Sequence, residues 1–255
     1  MKKVLINITV VLGAALMVWV LASAVNRTMS TKSEMIKYKL LGEVSSHSLI
    51  HEDDLRVIMD RNFNDLLIGA YVSDVDVKAI EQRFMEEPYL EKVDVYLDAK
   101  GILHIEVTPR EAMFRVMMKN GKSYFIDRNG VAFPLSRHYT PRVPVVTGHI
   151  PVYQAQLVEK DSSILSDVYE LVSHISKDKF LKAQIEELYV NPDGLIEMIP
   201  KVGNHRIIYG KHSSGDMADR LENLKIFYRD GLSSEGWNKY SSINIEYKGQ
   251  VVCSK

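Results

Sequence analysis

The pattern of apolar and polar positions divides this chain into one long apolar run and two stretches of short, changing periodicity. Val4–Val25 holds 22 residues without a charge, the most polar being Asn7, Thr9 and Ser23. As a helix it would measure about 33 Å at 1.5 Å per residue, enough to cross a hydrocarbon core of about 30 Å. It reads as a transmembrane helix, with residues 1–3 as a cytoplasmic tail and 26–34 as a tether. Lys2 and Lys3 precede it, while Arg27 and Lys32 are the basic residues that follow closely, a weak tilt toward a cytoplasmic N-terminus. The alternative is a cleaved signal peptide, since Ala22-Ser23-Ala24 has the small-x-small form of a cleavage site. Against it, the run exceeds the roughly 7–15 residues of a signal peptide's apolar region.

From Met35 the periods become those of a folded module. Met35–Leu41 suits a strand. Leu55, Ile58 and Met59 have helical spacing, and Glu52, Asp53 and Asp54 fall in what would be the first turn, where carboxylates meet unpaired backbone donors. A second helix is predicted from Val77, Ile80 and Phe84, with Ser73 as N-cap, Asp76 three residues later and Pro88 as the stop. Val93, Val95 and Leu97 alternate with polar neighbours, Asp98-Ala99-Lys100-Gly101 turns the chain, and Leu103, Ile105 and Val107 alternate back. Strand, helix, helix, strand, strand over 35–108 predicts a compact α+β module of three strands and two helices.

After Pro109 the texture changes. Met113–Met118, Tyr124–Ile126 and Val131–Phe133 are short apolar strands separated by Asn120-Gly121 and Asn129-Gly130, both strong hairpin signals. Pro134, Pro141 and Pro144 bound an irregular stretch. Ile164, Leu165, Val168, Leu171, Val172 and Ile175 outline an amphipathic helix. Ile185–Val190, Leu195–Ile199 and Arg206–Tyr209 read as strands, with Asn191-Pro192-Asp193-Gly194 turning the first into the second. Met217, Leu221, Leu224 and Tyr228 mark a last helix stopped at Gly231, and Ile243–Tyr247 with Val251-Val252 closes the chain. Residues 109–255 thus predict a mostly β domain with helices packed on it.

Composition adds exclusions. With 46% apolar and 25% charged residues the chain is an ordinary folded protein, and a formal charge of -1 gives no footprint for nucleic acid. One cysteine, Cys253, rules out an internal disulfide framework. Reactive constellations are thin. His47 and His51 are four apart, but the glycine- and serine-rich turn before them argues against one helix, and His51-Glu52 is not followed by a second histidine at zincin spacing. His212-Ser213-Ser214 with Asp216 invites a triad reading, yet neighbours in sequence do not have triad geometry, and a serine capping the next helix is the plainer account. Neither an elbow serine nor a phosphate-cradling loop is present. The expectation is no enzyme activity, no cofactor and no metal.

Pro88-Tyr89-Leu90-Glu91-Lys92-Val93-Asp94-Val95 and Gly101-Ile102-Leu103-His104-Ile105-Glu106-Val107 resemble the POTRA part of the bacterial cell-division family FtsQ, also called DivIB. Thr108-Pro109-Arg110-Glu111-Ala112 is similar to the family's domain junction, with the order of its charged pair changed. Further matches are Ile126-Asp127-Arg128-Asn129-Gly130-Val131-Ala132-Phe133, Val143-Pro144-Val145-Val146-Thr147-Gly148, Tyr209-Gly210 and the closing stretch from Ser242 to Val252. They run from anchor to tail. Departures are the very short tail and a weakly matched first strand around Lys37–Gly42.

The resemblance implies a single-pass protein of the cell inner membrane, N-terminus cytoplasmic and C-terminus periplasmic, placed at the division septum. It implies a POTRA domain at 35–108, an FtsQ-type β domain at 109–255, and a non-enzymatic divisome scaffold that helps regulate septal peptidoglycan synthesis. The implied partners are FtsB-like and FtsL-like bitopic proteins, besides membrane lipid around the anchor. The closing strands would carry the partner interface, through Ile243, Ile245, Tyr247, Gln250, Val251 and Val252. Alternation supports an edge there, since Ile243, Ile245 and Tyr247 can face one way while the backbone stays available. Tyr247 as half-buried core is the competing reading. Competing functions are an envelope POTRA protein in outer-membrane protein assembly, an anchored cell-wall hydrolase, and a sensor or wall-binding module.

Overall fold

The computed structural model describes residues 12–20, 23, 32, 35–42, 48–63, 67–150 and 164–255. The chain divides into two compact units, Met1–Pro109 and Arg110–Lys255.

In the first unit, strands β1 (Met35–Leu40), β2 (Leu90–Leu97) and β3 (Ile102–Pro109) form one sheet in the order β1-β3-β2. β2 and β3 are the antiparallel hairpin expected from their alternation, with Val93 opposite Val107 and Val95 opposite Ile105. Those four side chains and Leu103 are buried against Leu55, Ile58 and Met59 of α1 (Glu52–Phe63) and Ile80 and Phe84 of α2 (Val77–Met85). The Asp98 carboxylate shapes the hairpin turn by accepting from the backbone N–H groups of Lys100 and Ile102, both at 2.9 Å. The Ile102 bond leads in holding that carboxyl below its usual range. β1 joins parallel to β3, from Met35 opposite Ile102 to Leu40 opposite Val107.

The caps differ from expectation in one place. α1 begins at its acidic turn, and Asp54 reaches back to accept from the backbone N–H of His51 at 2.8 Å. α2 is capped by Asp76, which accepts from Ala79 N at 3.0 Å. Ser73 lies instead in a short 3₁₀ turn, Val72–Asp74, and gives its hydroxyl to Asp74. Both residues have N-cap chemistry, and the one directly before the apolar face took the role.

The second unit holds a nine-stranded mixed sheet. Its strands are β4 (Ala112–Met117), β5 (Ser123–Asp127), β6 (Ala132–Pro134), β7 (Val145–Gly148), β8 (Ile185–Val190), β9 (Ile196–Pro200), β10 (Arg206–Gly210), β11 (Ser242–Asn244) and β12 (Val252–Ser254). Across the sheet they run β12-β11-β10-β9-β8-β7-β4-β5-β6. The pairs β4–β7, β7–β8 and β10–β11 are parallel, and the remainder are antiparallel. Helix α3 (Ile164–Lys177) buries Leu165, Val168, Leu171, Val172 and Ile175, and α5 (Met217–Ile226) buries Met217, Leu221 and Leu224, all in one core with the strands.

Three elements depart from expectation here. β7 follows directly on Pro144, the last of the prolines that make the preceding stretch read as irregular; at its end Gly148, with φ +99°, lies where a Cβ would come within 2.0 Å of the Val190 carbonyl oxygen, so a side chain there would separate β7 from β8. A six-residue helix, α4 (Lys179–Gln184), is capped by Asp178, which accepts from Phe180 N and Leu181 N. The last helix does not stop at Gly231. It widens into a π-helical turn over Phe227–Leu232 and ends at Gly236, whose φ is +93°.

The membrane-spanning helix expected over Val4–Val25 is corrected. Among the described residues, no helix is long and apolar enough to cross a membrane. Within that run the residues described as helical are 12–20 and Ser23. The rest of the run apart from Ser23, the tail 1–3, and the tether 26–34 apart from Lys32 lie outside the described residues. The single-pass inner-membrane topology drawn from that run, with its cytoplasmic N-terminus, periplasmic C-terminus and lipid contact, therefore has no spanning helix among the described residues to rest on.

Candidate functional site

The closing strands occupy one margin of the large sheet, and their placement follows from local chemistry. β10 leads into Gly210, which has φ +84° and a Cβ position 2.5 Å from the Glu246 side chain. Only a glycine lets the chain after β11 pass so close. β11 lies parallel to β10, with Ile207 opposite Ile243, and Ile245 N extends the contact to the Ile208 carbonyl at 3.0 Å. Asn244 turns the chain by accepting from Glu246 N at 2.8 Å, and a reversal around Gly249 (φ +72°) brings β12 back antiparallel, with Ile243 opposite Cys253. β12 is the outermost strand on this side.

The six residues expected at a partner edge are brought together in this margin but divide into two groups. Ile243 and Ile245 are fully buried in the core, and Val251 packs against it. Tyr247 is 50% exposed and Val252 43%, with Gln250 also exposed. Tyr247 is thus not core. The expected strand over Ile243–Tyr247 is shorter than read, because Asn244 starts the turn after three residues. Along β12 the burial alternates, Val252 and Ser254 outward and Cys253 toward the core, where burial pushes its thiol up.

Two polar clusters brace this margin from behind, and sequence reading found neither. His205, just before β10, shares a 2.6 Å hydrogen bond with the Tyr228 hydroxyl, and both are buried. Burial pushes the Tyr228 phenol up to about 12 and the His205 imidazole down. Beside β10, the buried Arg220 donates to the carbonyls of Tyr209 and Lys211 and to the Asp216 carboxylate at 2.8 Å, with its guanidinium over the Tyr209 ring. These contacts pin the Lys211–Asp216 loop to the end of the strand.

The triad suggested by His212, Ser213, Ser214 and Asp216 resolves into a different network. His212 bridges the Tyr209 hydroxyl, 3.2 Å from Nδ1, and Glu170, 3.0 Å from Nε2. Ser214 donates to the same Glu170 oxygen at 2.7 Å. The serine is thus tied to the carboxylate rather than to the histidine, and Asp216 is engaged by Arg220. Ser214 is therefore not aligned on an imidazole as a triad serine is. The bonds from Ser214 and then His212 hold the Glu170 carboxyl below its usual range. The network fastens α3 to the loop after β10. Glu170 is 42 residues from His212, so no local pattern could have announced it.

At the opposite side of this unit, Arg110 and Asp127 form a nearly buried ion pair at 2.6 Å. Asp127 also accepts from Asn129 N and Val131 N, closing the Asn129-Gly130 turn, and Glu111 pairs with Arg128 at 3.0 Å.

Comparison with known proteins adds three findings. Residues 111–254 match a family model described as FtsQ/DivIB, C-terminal related, and residues 41–108 match one described as a POTRA-like domain. The chain is also similar to the cell division protein FtsQ of Salinibacter ruber (strain DSM 13855 / M31). The two are 30% identical over 190 residues, covering 72% of this chain and 71% of that protein.

Proposed function

This chain belongs to the FtsQ/DivIB family, and from that membership we propose that it acts as a divisome scaffold whose C-terminal sheet margin binds an FtsB-like protein, itself joined by an FtsL-like one. Members of the family are non-catalytic scaffolds that interact with other division proteins. The proposed role is to hold such partners where septal peptidoglycan synthesis is regulated.

The observation carrying this reading is β12 as the outermost strand, with its Val252 exposed and Tyr247 exposed in the turn before it. An edge strand offers backbone donors and acceptors to an incoming strand, and an exposed aromatic ring supplies apolar area at small entropic cost. The buried Ile243 and Ile245 then serve by fixing the edge rather than by touching the partner.

The test pairs binding with melting. A peptide from the soluble part of an FtsB-like protein of the same organism is titrated against the wild-type chain and Tyr247→Ala. Since Tyr247 is half exposed, its truncation should change stability by less than about 1 kcal/mol. Loss of an interface aromatic should weaken binding about 30-fold, or about 2 kcal/mol. Full-strength binding by a folded Tyr247→Ala protein would place the contact elsewhere.

A further inference from the structure

A cleft of about 880 Å³ opens in the second unit between α3, α4, the start of β8 and the strand-like segment that enters β7. That volume lies in the upper part of the usual range for ligand pockets, about 300–1,000 Å³. Five cationic residues line it, Arg128, Arg142, Lys177, Lys182 and Lys201, against a single carboxylate from Glu186. All six are exposed. Arg128 is engaged by Glu111, while among the described residues the other four cations have no ion-pair partner. In a chain whose overall charge is -1, such local excess is a departure from the mean.

Part of the cleft is apolar. Val143, Pro144 and Val145 are half-buried along one wall, and Val172 and Ile175 of α3 lie beneath. A site for a lone phosphate or carboxylate would be small and polar, with convergent donors. Exposed cations beside the apolar Val143–Val145 wall are complementary to an amphipathic acidic segment, which can set its apolar side on that wall and its carboxylates against the cations.

We propose that this cleft is a second docking site, for an acidic amphipathic segment of another protein. It lies on β4, β7, β8, α3 and α4, and does not depend on the proposed role of the β12 margin. Lysine supplies most of the unpaired charge, and its long stem lets each ammonium follow a carboxylate without fixing a planar geometry. Attraction of this kind is sensitive to salt, because exposed charges are screened beyond about 8 Å at physiological ionic strength.

The test uses the full chain and three probes. The first is a short fluorescein-labelled peptide with glutamates on one helical face and leucines on the other. The second is the same peptide with serines for leucines, and the third is poly-γ-glutamate. The leucine-bearing peptide should bind and weaken as salt rises, the serine version should bind at least tenfold more weakly, and the polymer should compete poorly. Lys177→Glu combined with Lys182→Glu should lower affinity at least tenfold. Ala183→Glu, an exposed change on the cleft wall, should do the same by obstruction. Tyr247→Ala should leave this binding unchanged. Undiminished binding by the folded double variant overturns the proposal. Equal binding of the serine peptide or of poly-γ-glutamate also overturns it, in favour of a site for simple polyanions.

Discussion

At one side of the nine-stranded sheet β6 ends on Pro134, while at the other β12 runs Val252–Ser254 with no proline. β6 has Ala132 and Phe133 buried and is held by a turn whose carboxylate, Asp127, is locked to Arg110. β12 leaves Val252 outward and follows a turn that leaves Tyr247 and Gln250 exposed. Proline removes a backbone donor and so blunts an edge, whereas a short strand with a β-branched outward residue can accept another strand. Two margins of one sheet thus differ in build, one ending on a proline and fixed by an ion pair, the other without a proline and with Val252 exposed.

The largest expected effect breaks the closed margin. Asp127→Ala would remove the carboxylate paired with the nearly buried Arg110 guanidinium and the acceptor of the Asn129 and Val131 N–H groups. Removing one partner of a buried pair costs about 3–5 kcal/mol, and urea unfolding should read that loss. Below its melting point the variant should still bind the FtsB-like peptide, because β12 lies at the far end of the strand order. Lost binding in a folded Asp127→Ala chain would mean that the two margins are coupled.

A smaller effect concerns the support behind the open margin. Tyr228→Phe deletes the 2.6 Å bond to His205 and leaves a buried imidazole without that partner, at a cost of about 1–3 kcal/mol. The same histidine makes stability depend on pH. Its folded pKa is depressed by burial, whereas the unfolded chain takes up a proton near pH 6.5. The unfolded state therefore binds more protons once pH falls below about 6.5, and stability is lost as pH drops from there toward the folded pKa. Its contribution is fully present above pH 6.5. Melting curves from pH 7.5 to 5 should show a steeper decline for the wild type than for His205→Gln, and parallel curves would remove His205 from the account.

What sequence could show followed distance along the chain. The β2–β3 and β4–β5 hairpins were legible because alternation and an Asp or Asn-Gly turn sit within one window. α3 was legible because five buried residues repeat at helical spacing. The parallel pairs β4–β7, β7–β8 and β10–β11 were not, since their registers are set by packing between segments far apart. α4 was missed because six residues around one buried leucine and one buried glutamine carry no period. At the candidate site, the alternation of Ile243, Ile245 and Tyr247 predicts one strand through Tyr247, whereas the strand ends at Asn244. Asn244 ends the strand, so the two isoleucines stay in the core while Tyr247 leaves it. The Tyr209–His212–Glu170 network lay beyond reach because Glu170 is 42 residues from His212 in sequence.

The smallest effect on stability gives the sharpest contrast between the margins. Pro134 stands opposite Tyr124 at the last position of β6 and is half-buried, and Val252 stands opposite Asn244 at the first position of β12. Pro134→Val restores a backbone donor and places a strong strand former on the closed edge. Val252→Lys puts a charge on the open edge, a common means of blocking strand addition. Each should shift stability by no more than about 0.5 kcal/mol, since neither opens a cavity nor strands a buried polar group. Their effects on association should differ in sign. Sedimentation of Pro134→Val should show concentration-dependent self-association absent from the wild type, while Val252→Lys should stay monodisperse and lose affinity for the FtsB-like peptide. A Pro134→Val protein that behaves as the wild type does would show that β6 is closed by something other than its proline. Undiminished peptide binding by Val252→Lys would show that strand addition at β12 is not how the partner docks.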